Sequence, residues 1–198
     1  MQGQPEPSGH AVIALVASVG GLAAVSHVVG ELPKRFDASV LVLIHQAPDR
    51  VSELVRLLSR ASALPVVPAE HGHRLIPGQV VVAPSGNHLL VTPALETALI
   101  VSGAAPPSRP SADLLLATLA VSAGPRAIAV VLSGGGHDGA TGATAIHALG
   151  GCVLATDEAT SEEFSMPRAT IQRAGVIDQI LPLEDVAAAL SALTAAPG

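Results

Sequence analysis

The chain is poor in the residues that many binding proteins use most. Its 198 residues include two Phe, no Tyr, no Trp and one cysteine, and 13% are charged, about half the roughly 25% of an ordinary soluble domain. Acidic side chains outnumber basic ones 16 to 10, for a net charge of −6. Without a basic face or aromatic stacking platforms, nucleic acid is excluded as a partner. The single Cys152 makes no internal disulfide, which suits a reducing cytosol. It reads as a small buried thiol in a strand rather than as a nucleophile. Strong targeting signals are also missing. The most apolar stretch, residues 11–29, precedes the first Lys or Arg, Lys34, whereas a signal peptide carries positive charge before its apolar region. Ser18, Gly20, Gly21, Ser26 and His27 interrupt the run, and a membrane span needs about twenty strongly apolar residues. A soluble, cytoplasmic protein with no direct membrane insertion is expected.

What is present is apolar and patterned. A hydrophobic content of 49% and a length suited to one domain predict a single fold over residues 11–195 behind a loose tail, residues 1–10. Apolar runs at 11–17, 39–45, 127–133 and 152–156 read as strands covered on both faces. Between them, Leu22, Val25, Val29 and Leu32 share one helical face before Pro33, and Leu54, Leu57 and Leu58 share another over 51–59. Ser111 is the N-cap of a helix over 111–123 with Asp113 in its first turn. Further helices are predicted up to Leu149, over 167–174 and after Pro182, with a last strand at 176–181. The alternation predicts an α/β fold, doubly wound, with a mostly parallel sheet flanked by helices. Residues 79–102 break the rhythm. Three short β-like runs separated by turn residues predict some antiparallel hairpin pairing there, and Pro106, Pro107 and Pro110 mark a surface loop over 103–110.

Ligands of open α/β sheets sit beyond the C-terminal ends of the strands. Three polar side chains fall at such ends: Ser18 after the first strand, His45 closing the second, and Asp138 in the glycine loop after the 127–133 strand. These are the residue types of a hydrolytic triad. A serine hydroxyl needs a base to take its proton, imidazole does so near neutral pH, and a carboxylate orients the ring and stabilises its cation. Gly20 and Gly21 let the backbone turn tightly into a helix whose N–H groups would face a developing oxyanion. Each residue also has an ordinary reading, as a helix cap or a satisfied polar side chain, and their convergence depends on a strand order that the sequence does not state. Other sites fit less well. The first turn lacks a Gly-x-Gly-x-x-Gly spacing, and the 134–139 glycines lack the following Lys of a phosphate loop. His71, His73 and His88 are weighed as metal ligands, but the surrounding turn residues suggest loop histidines; no metal and no cofactor are expected.

Beyond these patterns, the chain resembles the catalytic domain of chemotaxis protein-glutamate methylesterases (the CheB type) from about residue 11 to 190. The matching blocks are Ala17-Ser18-Val19-Gly20-Gly21, Ile44-His45, residues 75–80 with 83–88, Arg109-Pro110-Ser111-Ala112-Asp113, residues 132–139, Asp157-Glu158-Ala159 and Ser165-Met166-Pro167-Arg168. The resemblance implies a catalytic triad of Ser18, His45 and Asp138, the positions that the strand ends select. It implies hydrolysis of glutamate γ-methyl esters on a methyl-accepting chemoreceptor or similar signalling protein, with release of methanol, and deamidation of glutamine by the same acyl chemistry. Three features depart from the family. Val19 stands where Thr or Ser is common, and Gly135 where Met is usual, next to the oxyanion pocket. About nine residues precede the first strand, too few for the family's phospho-receiver domain, so the chain is either an excised fragment or, the favoured expectation, a stand-alone enzyme controlled by another protein. Val19 and Gly135 motivate an alternative, a non-catalytic signalling module of the same fold; a general small-ester hydrolase is a third reading.

Overall fold

Residues 9–46, 53–101 and 110–195 are described in a computed structural model of the chain. Strands β1 (Ala11–Ala17), β2 (Ala38–Ile44), β3 (Val66–Pro68), β4 (Gln79–Val82), β7 (Ala127–Val131), β8 (Cys152–Thr156) and β9 (Gln179–Leu181) make one sheet. Its order is β3-β4-β2-β1-β7-β8-β9, and every pairing is parallel. Strands β5 (Asn87–Val91) and β6 (Thr97–Val101) form a separate antiparallel pair. Hence the last two of the three runs within 79–102 make the expected hairpin. The first, β4, joins the main sheet instead, where β2 and β3 pair with it on either edge and Val80, Val81 and Val82 are buried.

Side chains alternate across the buried strands. Val12, Ala14 and Val16 face one core with α3 (Ala112–Ala123), α4 (Ala140–Ala148) and α5 (Ser165–Ile171). Ile13, Leu15 and Ala17 face the other with α1 (Gly21–Glu31), α2 (Leu54–Ala61) and α6 (Val186–Thr194). Helices therefore cover both faces, the doubly wound arrangement. The apolar 11–29 stretch is a buried strand plus a helix, and among the described residues no helix is long and apolar enough to cross a membrane.

Several boundaries differ from expectation. Leu22 is exposed although the helical face was drawn through it; Gly21, Ala24, Val25, Val28 and Val29 are the buried set, because the first turn of α1 opens onto a cleft. Helix α5 starts at Ser165, where Glu163 accepts the Ser165 N–H, and ends at Ile171. The last strand is shortened to β9, since Val176 lies in a turn closed onto Arg173. The expected tail falls mostly outside the described residues, as do residues 103–109 of the 103–110 loop and the start of the 51–59 helix. Pro110, the described end of that loop, is buried rather than on the surface, because it leads directly into Ser111 and the buried start of α3. His10, at the tail's end, is tied to Ser39 by a 2.7 Å hydrogen bond.

Strand order places the functional crevice. From β1 the chain steps through α1 to β2 on one side, and much later returns as β7 on the other. Sheet order reverses at β1, and such a switch point leaves an open crevice beyond the strand ends.

Candidate active site

The residues that follow β1, β2 and β7 meet at that crevice. The β1–β2 register ends with Ala17 beside Ile44, and the His45 N–H donates to the Ala17 carbonyl at 3.1 Å. Ser18 and His45 are therefore the next neighbours across a strand spacing of about 4.8 Å. On the other side, the Ser18 N–H donates to the Ser133 carbonyl at 3.0 Å, which fixes the serine between the two strands. Gly20, with φ of 73°, makes the left-handed turn that starts α1 directly after Ser18.

His45 Nε2 lies 2.8 Å from Asp138 Oδ2. An ionised carboxylate only accepts, so Nε2 carries the ring proton and Nδ1 of the neutral ring is left as the acceptor. The acid is nearly buried, at 9% exposure, and heavily bonded. Its Oδ2 also accepts the Ala112 N–H at 2.7 Å, and its Oδ1 accepts the Asp113 N–H at 3.0 Å and the Ser111 hydroxyl at 3.2 Å. Burial alone would raise the Asp138 carboxyl. The His45 hydrogen bond, the Asp113 and Ala112 amides and the His45 charge outweigh it and hold the group below the ordinary carboxylate value. The carboxylate therefore stays charged although it is nearly buried.

The serine end is less tied. Among the described residues the Ser18 hydroxyl makes no hydrogen bond, to His45 or to any other group; contacts of this kind often tighten only when substrate is bound. Four backbone donors around it, the N–H groups of Val19, Gly20, Gly135 and Gly136, also have no acceptor among the described residues. Val19 and Gly135 adjoin: a Cβ built at Gly135 would lie 3.9 Å from Val19 Cγ2 and from Glu163 Cγ and meet nothing closer, so the position admits a Cβ. A cleft of about 470 Å³ opens here, lined by Ser18, residues 20–23, Ile44 and Glu162. A larger hollow of about 640 Å³ lies at the opposite end of the sheet, where β1, β7 and β8 begin. It reaches Cys152, but burial and the neighbouring Asp178 charge push that thiol up to about 11, so it is protonated at neutral pH and inert. The smaller cleft, with the imidazole and acid beside it, is the chemically equipped one.

Three residues beyond those expected shape the site. The buried Ser133 hydroxyl donates to the Val19 carbonyl at 2.8 Å and accepts the Glu163 N–H at 2.9 Å, which joins the serine turn to the 157–165 loop. A serine ending an all-apolar strand was the available signal. Glu162 borders the cleft, and nothing in its local sequence announces that. Ser111 is the N-cap as expected, accepting the Leu114 N–H, but it also donates to Asp138. The histidines weighed as metal ligands are engaged separately: His71 Nδ1 accepts from Leu99, His73 pairs with Gln79 at 2.8 Å, and the buried His88 accepts the Ser111 N–H at 3.1 Å. Among the described residues no group of three or more His, Cys, Asp or Glu gathers as a metal site would.

A doubly wound α/β domain with a serine, a histidine and a buried acid gathered at its switch point defines the class. Comparison with known proteins narrows it: the chain belongs to the CheB methylesterase family, whose model matches residues 13–190. It is 40% identical over 93% of its length to the protein-glutamate methylesterase FrzG of Myxococcus xanthus, and 39% identical over 94% of its length to a protein-glutamate methylesterase/protein-glutamine glutaminase of Moorella thermoacetica. It covers 55% and 45% of those two proteins, so the chain spans about half the length of the curated relatives it matches. The crystal structure of the Thermotoga maritima CheB methylesterase catalytic domain superposes with a TM-score of 0.87 at 32% identity, over 94% of this chain and 99% of that one.

Proposed function

We propose that this chain is a serine hydrolase that removes methyl esters from glutamate side chains of a chemoreceptor-like signalling protein in the cytoplasm. The observation that carries the reading is the 2.8 Å His45–Asp138 contact beside Ser18 at the switch point; the names of the relatives supply the substrate class. Ser18 Oγ attacks the ester carbonyl while His45 Nδ1 takes its proton. Asp138 keeps the ring in the tautomer that leaves Nδ1 free and stabilises the imidazolium. The unpaired N–H groups of Val19, Gly20 and Gly135 supply donors for the oxyanion. His45 then passes the proton to the departing methanol, leaving an acyl-enzyme on Ser18. Water, deprotonated by the same ring, releases the glutamate carboxylate and restores the serine. Deamidation of glutamine follows the same steps with ammonia leaving, in keeping with the second activity in the name of the Moorella relative.

Methanol release from a methylated receptor fragment tests the reading. Ser18→Ala is expected to abolish it with the fold intact, whereas retained turnover refutes the assignment. A single specific observation favours the non-catalytic alternative, the absence of any hydrogen bond on the Ser18 hydroxyl among the described residues. A fluorophosphonate that leaves Ser18 unlabelled would support that alternative.

A further inference from the structure

We propose that Asp113 is a positioning residue for the reaction, holding the backbone that carries Asp138 and, through Asp138, the His45 ring. The proposal rests on the Ser18–His45–Asp138 reading above. Asp113 sits in the first turn of α3, where an acid ordinarily serves its own helix dipole. Its Oδ1 instead accepts from the N–H groups of Gly139 at 2.9 Å and Gly142 at 2.7 Å, at the start of α4. That helix has no cap of its own, because its N-cap residue is Gly139, with φ of 100° and no side chain to offer. Asp138 returns the contact by accepting the Ala112 and Asp113 N–H groups at the start of α3. Each helix start is thus capped by a carboxylate carried at the start of the other.

The exchange requires the two helices to approach closely, and Gly142 permits it: a Cβ there would lie 2.6 Å from Leu116 Cβ and 2.9 Å from the Asp113 carbonyl oxygen. Asp138 ends a loop, Gly134-Gly135-Gly136-His137, whose glycines give the chain little stiffness. The residue after it, Gly139, is pinned by Asp113. Removing the Asp113 carboxylate leaves the Asp138 side chain bonded while freeing the backbone behind it. A role confined to helix capping would lower stability and leave the catalytic geometry of the folded protein alone, so the two roles separate by experiment.

Asp113→Ala and Asp113→Asn are compared with the parent chain, each also in an Asp138→Asn background, at a temperature where circular dichroism shows them folded. Turnover of a methylated receptor fragment gives kcat and KM, and the downfield proton resonance of His45 Nε2 reports its bond to Asp138. Asp113→Ala is expected to lower kcat on the order of ten- to a hundredfold, with KM little changed, as small misplacements of catalytic groups do. It should also broaden or remove the Nε2 proton signal and add little further loss once Asp138 is Asn. Asp113→Asn, whose amide oxygen still accepts both N–H groups, should restore most of kcat. A folded Asp113→Ala variant with parental kcat, or with an unchanged signal, overturns the proposal, and so do losses that simply multiply in the double variant. If Asp113→Ala does not fold, Asp113→Glu, which keeps the charge but moves the acceptor by one methylene, carries the same expectations and refutations. The proton signal is read without substrate. A parent chain that hydrolyses no ester therefore overturns the catalytic reading, whereas an unchanged signal in a folded variant overturns this one.

Discussion

The two halves of the site are built to opposite rules. Around Asp138, four donors converge on one nearly buried carboxylate, two of them backbone amides of a helix start. Around Ser18, the hydroxyl and several nearby N–H groups have no partner among the described residues, and the neighbouring Val19 is 57% exposed. The acid half has its hydrogen bonds made in advance, which fixes the tautomer and direction of the ring. The serine half keeps a half-exposed hydroxyl and donors with no acceptor among the described residues, which an ester carbonyl would satisfy under the proposed function. Electrostatic stabilisation of this sort works because the donors are in place before charge develops. Under the proposed function, the acid half orients the ring and the serine half carries the chemistry.

Breaking the acid half should cost most. Asp138→Asn leaves an amide that cannot stabilise the imidazolium and favours the wrong tautomer; kcat for methanol release should fall on the order of 10⁴-fold, as for acid-to-amide changes in other triads. A loss below tenfold would show that the acid half is not functional. Next comes the tie between the serine turn and the 157–165 loop. Ser133→Ala removes the hydroxyl that bonds the Val19 carbonyl and the Glu163 N–H, and should lower urea stability by about 1 kcal/mol.

The pH dependence of stability sharpens the same comparison. The folded-state pKa of Asp138 lies below its unfolded value, so the unfolded chain binds this proton more readily. The stabilisation is complete above the unfolded value of about 3.9 and is lost as pH falls through the folded one. Acid unfolding of the parent chain should therefore be steeper below about pH 4 than that of Asp138→Asn. At the serine half, Gly135→Met should fold normally, since the position admits a Cβ and φ there is not positive. Together with Val19→Thr it should shift kcat/KM by less than about tenfold, because neither change alters the side chains of Ser18, His45 or Asp138. The smallest effect is expected from Cys152→Ala: unchanged turnover, and, in the parent chain, slow alkylation at neutral pH because the thiol is pushed up to about 11.

Much of this was legible in the sequence, and the remainder was hidden for identifiable reasons. Residues 11–17, 127–131 and 152–156 announce themselves as strands because both faces are covered, leaving no polar alternation to blur them. Ser18 and His45 stand out because each closes an apolar run, and Asp138 because it is the acid of the glycine loop that follows the 127–133 run. Strand order is a different matter. That β7 and not β4 lies beside β1 is decided by long-range packing, and no local pattern encodes it. Strand β3 was missed because three residues, two half-buried and one exposed proline, carry too little pattern. Leu22 was placed in the core by helical periodicity, which says nothing about a cleft opening at the helix start. The second role of Asp113 was invisible for the same reason as the triad's convergence: its partners, Gly139 and Gly142, lie 26 and 29 residues away.

Covalent capture reads the division of labour most directly. A fluorophosphonate ester incubated with the chain, followed by peptide mass spectrometry, should give one adduct, on Ser18, formed at a rate that drops sharply in Asp138→Asn and in His45→Ala. A chain that releases methanol from methylated receptor while Ser18 stays unmodified, or that is labelled equally fast without His45, would contradict the account.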